Sequence, residues 1–240
     1  MKLPIGCAQC TDEQGFPNRS VSVFVRDDGV YEFLCNNNHK TVTIIQQPKF
    51  EILFEIGACA LVDGYFREAV SSFAASLERF YEFAIRFVLH ELKVDTESVG
   101  QSWKKISKQS ERQLGAFIFV WLTHYKVVPK TLNENKGVRF RNDVIHNGKI
   151  PTQQECIEFG NSVIATIVDN VKYMYKDDPD GYRYNFEFFD RAMSRIADAP
   201  LTTMSIPTIL GRGNIIAGGE RLRLETYLDN LRRQRVLGLR

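Results

Sequence analysis

The chain is predicted to be mainly α, an antiparallel helical bundle preceded by a small β segment. Three observations carry that expectation. Apolar residues over 65–92 recur at alternating steps of four and three, the period of an amphipathic helix. Capping-box patterns of Ser or Thr followed by Glu or Gln recur further along, two of them just after prolines. The first 47 residues alternate instead with a period of two and hold three of the five cysteines.

Composition bounds the class. With 240 residues, 44% hydrophobic and 25% charged, the chain can bury a sizeable core and has the balance of a soluble globular protein. No run approaches the roughly 18 uncharged apolar residues of a membrane helix, and the start Met1-Lys2-Leu3-Pro4 has no apolar signal region. A cytoplasmic protein without a membrane partner is expected. The net charge of +2 does not by itself argue for nucleic acid. Residues 211–240, however, carry seven Arg against two Glu and one Asp, a local +4 that suits either a solvated helix face, the commoner case, or nucleic acid.

Residues 1–47 form the first predicted domain. Cys7-Ala8-Gln9-Cys10 is answered after 24 residues by Cys35 and His39. Three thiols and one imidazole make the closed four-ligand set that structural zinc prefers. Val21, Val23 and Val25 alternate, Asp27-Asp28-Gly29 turns the chain, and Tyr31 and Phe33 run back toward Cys35. The segment therefore resembles a zinc ribbon, a hairpin between two knuckles. About 45 residues hold too little core to stand without such a staple. The plainer reading is three reduced cysteines and a surface His. Cys59 and Cys156 fall in apolar helical patterns and read as core.

Residues 48–176 form the predicted bundle. One helix covers 49–63 and stops at Asp63-Gly64. The next, 65–92, places Phe66, Val70, Phe73, Leu77, Phe80, Ala84 and Phe87 on one seam, with Glu78, Arg79, Glu82 and Arg86 off it. Ser98-x-x-Gln101 is predicted to open a short helix through Trp103. Residues 111–125 read as a helix buried nearly all round, with His124 capping its end. Thr131-x-x-Glu134 opens the helix that ends in Arg141-Asn142-Asp143-Val144-Ile145-His146, and Asn147-Gly148 stops it. Thr152-x-x-Glu155 starts a last long helix over 153–175, with Cys156, Phe159, Val163, Ile167 and Val171 in the same rhythm. Residues 177–240 are a C-terminal extension: a turn at 177–181, a helix from Tyr184 to Ile196, an irregular stretch from Leu201 to Gly219, and an Arg-rich helix over 220–236.

The candidate catalytic residues are Arg141, Asn142 and His146. A strong base, an amide and an imidazole at a helix end supply the parts for acid–base chemistry on a phosphodiester. An imidazole exchanges protons at neutral pH, and a guanidinium opposes developing negative charge. Asn142 and His146, four apart, share a face, whereas Arg141 and His146 lie about 140° apart at 3.6 residues per turn. A shared phosphate then requires a wrapped Arg side chain, a distorted helix end or a second subunit. A carboxylate at Glu78 is the off-seam residue placed to orient the pair. The same residues also read as an ordinary helix terminus, with cations near exposed carbonyls and Gly148 as the left-handed stop.

Arg141-Asn142-Asp143-Val144-Ile145-His146 resembles the Arg-polar-x(3–5)-His motif of HEPN-superfamily ribonucleases. The resemblance covers roughly 50–175. It implies a HEPN-like helical bundle, a homodimer and metal-independent endoribonuclease activity on RNA through the 2′-OH, with no catalytic metal. Arg141 and His146 match the catalytic pair and Asn142 the polar residue between them. Toxin–antitoxin or antiviral defence is the setting it implies, with an antitoxin or regulatory protein as a further partner. The alternative is a non-catalytic nucleic-acid- or protein-binding module, or a scaffold subunit of that fold, with a structural zinc ribbon.

Overall fold

A computed structural model describes residues 1–15, 21–178, 185, 188, 192 and 201–236. The chain divides into two compact units. One comprises Met1–Pro48, Asn185–Pro207 and Asp229–Arg240, and the other Lys49–Tyr184 and Thr208–Leu228. The residues after 176 are thus shared between both units.

The first unit holds strands β1 (Lys2–Ile5), β2 (Val21–Phe24), β3 (Val30–Leu34), β4 (Lys40–Ile45) and β5 (Leu201–Met204), with the short helix α1 (Ala8–Gln14) between β1 and β2. The expected hairpin across Asp27-Asp28-Gly29 is not formed. The turn itself is present: Gly29 has φ +64° and its N–H reaches the Arg26 carbonyl at 3.3 Å. Its two flanks pair outward, however. β2 lies antiparallel to β1, with Leu3 opposite Val23, and β3 lies antiparallel to β4, with Tyr31 opposite Thr43. β4 explains the difference. Thr41-Val42-Thr43-Ile44-Ile45 is a β-branched run buried at every position, which makes it a central strand rather than an edge. It takes β3 on one side and β5, parallel, on the other. Val30, Val42 and Ile44 form a small core, on which Phe188 and Ala192 pack.

The second unit is helical. α2 (Lys49–Val62) and α3 (Phe66–Glu91) form an antiparallel pair turned at Gly64, where φ is +81°. The predicted seam is the buried one from its second position on: Val70, Phe73, Leu77, Phe80, Ala84 and Phe87 are all 3% exposed or less, while Phe66 at the start of the helix is half-buried. Phe50 meets Phe80 and Phe83 at 5.4 and 5.3 Å between centroids, and Phe54 meets Phe73 at 4.5 Å. Phe73 sits in two glycine notches. A Cβ on Gly57 would lie 2.6 Å from its ring, and one on Gly160 would lie 3.1 Å from it.

α4 (Thr96–Ile106) and α5 (Ser110–Tyr125) follow. Asp95, rather than Ser98, caps α4, its carboxylate accepting from the Ser98 N–H at 2.8 Å. An acidic cap wins because its charge also suits the positive helix end. α5 is not buried all round. Phe117 and Trp121 point inward, while Phe119 is 70% exposed and Leu122 38%. The end residue His124 pairs with Asp177 at 2.9 Å, and Lys126 takes the left-handed cap position at φ +59°.

A π turn (Glu134–Val138) leads into α6 (Arg139–Ile145). Its cap is Asn133, two residues past the predicted Thr131, accepting from Asn135 and Lys136 N–H groups at 3.0 and 3.1 Å. α7 (Gln153–Asp177) starts at the predicted box: Thr152 and Glu155 bond each other's backbone reciprocally. The stretch expected to be irregular contains β5 and a short helix α8 (Arg212–Gly218), and the final helix α9 (Leu224–Val236) begins later than predicted. The expected helix over 184–196 lies outside the described residues but for three positions.

Candidate functional site

In the first unit, Cys7, Cys10, Cys35 and His39 converge, their ligand atoms all within 4.8 Å of one another. Cys7 is the N-cap of α1 and Cys10 sits in its first turn, so one helical turn brings both thiols to one side. Cys35 follows β3 and His39 precedes β4. A tight turn with Asn38 at φ +60° closes this knuckle, and the Cys35 N–H reaches the His39 carbonyl at 3.1 Å. The spacings suit a tetrahedral ion. Cys10 Sγ lies 3.7 Å from Cys35 Sγ and 3.4 Å from His39 Nδ1, and Cys7 Sγ lies 3.8 Å from that nitrogen. Metal–sulfur bonds of about 2.3 Å and metal–nitrogen bonds of about 2.0 Å give tetrahedral edges of about 3.5–3.8 Å.

Outer contacts fit as well. Asn37 donates its backbone N–H to Cys35 Sγ and its side-chain amide to Cys10 Sγ, both at 3.3 Å, as suits thiolates. Glu13 lies 3.8 Å from His39 Nε2, the carboxylate–imidazole pairing that orients a ligating ring. The four side chains could therefore hold a metal such as zinc. Burial pushes the Cys10 thiol up to about 11, a cost that a dication would offset.

In the second unit, α6 presents the Arg–Asn–His motif. Val144 is fully buried and Phe140 packs on Phe159 at 5.5 Å, and these two, four residues apart, fix the helix on the bundle. The side chain of Arg141 is 18% exposed. Its Nη1 bonds Glu78 Oε1 on α3 at 3.2 Å, and its Nε bonds Asn142 Oδ1 at 3.1 Å. The carboxylate singled out from the sequence therefore touches the guanidinium. Tyr81, one turn along α3, has its hydroxyl pushed up by burial, with an opposing hydrogen bond from the Leu132 backbone.

His146 terminates α6. Its N–H reaches the Asn142 carbonyl at 2.9 Å, its side chain is exposed, and Gly148 stops the helix at φ +73°. Arg67 adds a guanidinium 3.4 Å from the Ile145 carbonyl, so a cation also caps the helix end, as its negative pole favours.

A cleft of about 650 Å³ opens here, walled by Glu78 and Tyr81 of α3, Leu114 and Ile118 of α5, and Arg139, Arg141 and Asn142 around α6. His146 is not among the lining residues. One chain thus gathers Arg141, Asn142 and Glu78 in the cleft and leaves His146 at the exposed helix end.

Four further polar groups went unnoticed in the sequence. Glu51 and Glu55, one turn apart on α2, are 3% and 0% exposed. Thr208 Oγ1 lies 2.6 Å from Glu51 Oε2, and the Tyr227 hydroxyl lies 2.6 and 2.7 Å from the Glu55 oxygens. The available signal was two carboxylates four apart inside an apolar helix. Their partners are more than 150 residues away, beyond any local pattern. Comparison with protein-family models, curated proteins and solved structures finds no match to this chain.

Proposed function

We propose that the protein is a metal-independent endoribonuclease of the HEPN type that acts as a homodimer, with a structural zinc held by Cys7, Cys10, Cys35 and His39. The observation that carries the catalytic reading is the Glu78–Arg141–Asn142 chain of bonds, which fixes a guanidinium on a cleft wall five residues before a solvent-facing imidazole. Nε and Nη1 of Arg141 are engaged by protein groups, leaving Nη2 to donate a charge-assisted bond to a phosphate oxygen.

His146 takes the proton from a ribose 2′-OH. The alkoxide attacks the adjacent phosphorus, the P–O5′ bond breaks, and a proton passes to the departing 5′-oxygen. The products are a 2′,3′-cyclic phosphate and a 5′-hydroxyl. Arg141 opposes the charge that grows on the equatorial oxygens. Glu78 acts through Arg141 and is a positioning residue.

The dimer is supported by the exposed Phe119 and Leu122 of α5, the helix whose Leu114 and Ile118 wall the cleft. A second copy on this face would bring its own helix end toward the cleft. Zinc would brace the first unit and takes no part in the cleavage step.

The test is cleavage of RNA in EDTA by wild type, His146→Ala and Arg141→Ala, each shown to be folded. Wild type is expected to yield 2′,3′-cyclic ends and the variants to lose at least a hundredfold in rate. Equal rates in all three, or products with other ends, overturn the assignment. One observation favours a second reading: Arg141 already has a carboxylate partner, as a bracing residue would. In that case the chain is a binding module, and RNA is bound without turnover.

A further inference from the structure

The bundle unit carries a second cleft, of about 850 Å³, that the cleavage chemistry does not use. Its wall includes Lys130, Lys172 and Lys176, of which Lys172 pairs with the one carboxylate there, Asp169, at 3.6 Å. Tyr173 stands in it, 38% exposed, with its ring held edge-on by Trp121 at 5.9 Å and by Tyr125 at 5.7 Å. Lys176 Nζ lies 5.2 Å from the centre of that ring. A fixed aromatic beside several cations is the arrangement that binds single-stranded nucleic acid, with stacking for a base and charge for the backbone.

The two clefts share a wall. Lys130 lines the second, and the very next residue, Thr131, lines the cleft of Arg141. The wall is held in place by Asn170, which is 1% exposed. Its side-chain oxygen accepts from the Lys130 N–H at 3.0 Å, and its amide donates to the Lys130 carbonyl at 2.9 Å. A buried amide that grips both backbone groups of one residue fixes that residue against the helix behind it.

We propose that this lysine–tyrosine cleft is a subsite for the flank of a single-stranded RNA whose scissile phosphate lies at Arg141. The subsite rests on the ribonuclease reading for the identity of the strand and for the place of its scissile phosphate. An acidic peptide would meet the same lysines but gains nothing from stacking on Tyr173.

The experiment measures binding of a fluorescent twelve-nucleotide single-stranded RNA to His146→Ala protein, so that the probe stays intact. Changing Lys130, Lys172 and Lys176 together to Ala is expected to weaken binding at least tenfold. It should also reduce the slope of log affinity against log salt by about 2, at about 0.7 for each phosphate no longer neutralised. Tyr173→Ala is expected to weaken binding severalfold with no change in that slope. In protein with His146 intact, the triple variant should lose kcat/KM on the twelve-mer and keep it on a dinucleotide too short to reach the cleft.

Unchanged affinity and slope in the triple variant overturn the proposal. So does a polyglutamate competitor that displaces RNA as well as unlabelled RNA does. Lysine-dependent binding by a wild type that cuts nothing supports the subsite and removes the ribonuclease reading, so the two fail separately.

Discussion

Glu51→Gln tests a buried, strongly perturbed carboxyl of the bundle. Glu51 is buried against Thr208, one helical turn from the equally buried Glu55, which bonds Tyr227. Burial holds its pKa up at about 8, the neighbouring Glu55 charge adds to the rise, and the Thr208 bond opposes it. In the unfolded chain the same group titrates near 4.5. Between those values the folded state keeps a proton that the unfolded state has released. Stability from this group is therefore complete below pH 4.5 and drains away as pH rises toward 8.

Each unit of difference is worth about 1.4 kcal/mol, so the loss approaches about 5 kcal/mol at its ceiling and about 3 kcal/mol by pH 7. Gln is nearly isosteric, can still bond Thr208, and carries no proton to lose. The variant should equal wild type near pH 4.5 and exceed it by about 3 kcal/mol at pH 7. Urea denaturation followed by tryptophan fluorescence suits the purpose, since Trp103 and Trp121 both lie in the bundle unit. Parallel pH profiles for wild type and variant, or a wild type that gains stability between pH 5 and 8, would refute the reasoning.

Gly57→Ala removes the notch that receives Phe73. The ring has Gly160 on its other side and cannot retreat, so a loss of about 1–3 kcal/mol is expected in the same denaturation assay, against the gain of helix propensity. Cys10→Ser is expected to abolish stoichiometric zinc by metal analysis and to lower the melting of the first unit. Zinc affinity of the wild type should fall as pH falls, because the thiols must lose protons to bind. Glu78→Gln should keep the fold and the protein's RNA affinity while lowering cleavage at least tenfold, and a shifted pH–rate profile would identify positioning of Arg141 rather than structure as the cause.

How much was legible depends on the range of the physics involved. The seam from Val70 to Phe87 and the Thr152–Glu155 box could be read directly, because helical period and capping act within a few residues. The Asp27-Asp28-Gly29 turn was equally local and is present, yet its hairpin is not, since strand pairing is chosen by partners outside the window. β4 needed β5 from beyond residue 200 to become a central strand. α5 misled for a related reason. Its composition is apolar all round, but whether Phe119 is covered depends on what packs there, and hydrophobicity alone does not say.

The same division runs through the candidate sites. Sequence alone determined the four metal-ligand candidates and the Arg–Asn–His motif with its glycine stop, because residue type and short spacing set what a helix turn or a knuckle can bring together. Tertiary structure decided the rest. It put Glu78 on Arg141, kept His146 out of the cleft, buried Glu51 and Glu55 against the distant Thr208 and Tyr227, and let the neighbours Lys130 and Thr131 line two different clefts. Those outcomes follow from packing between segments far apart in the chain, where burial and partner distance, rather than local pattern, set charge and reach.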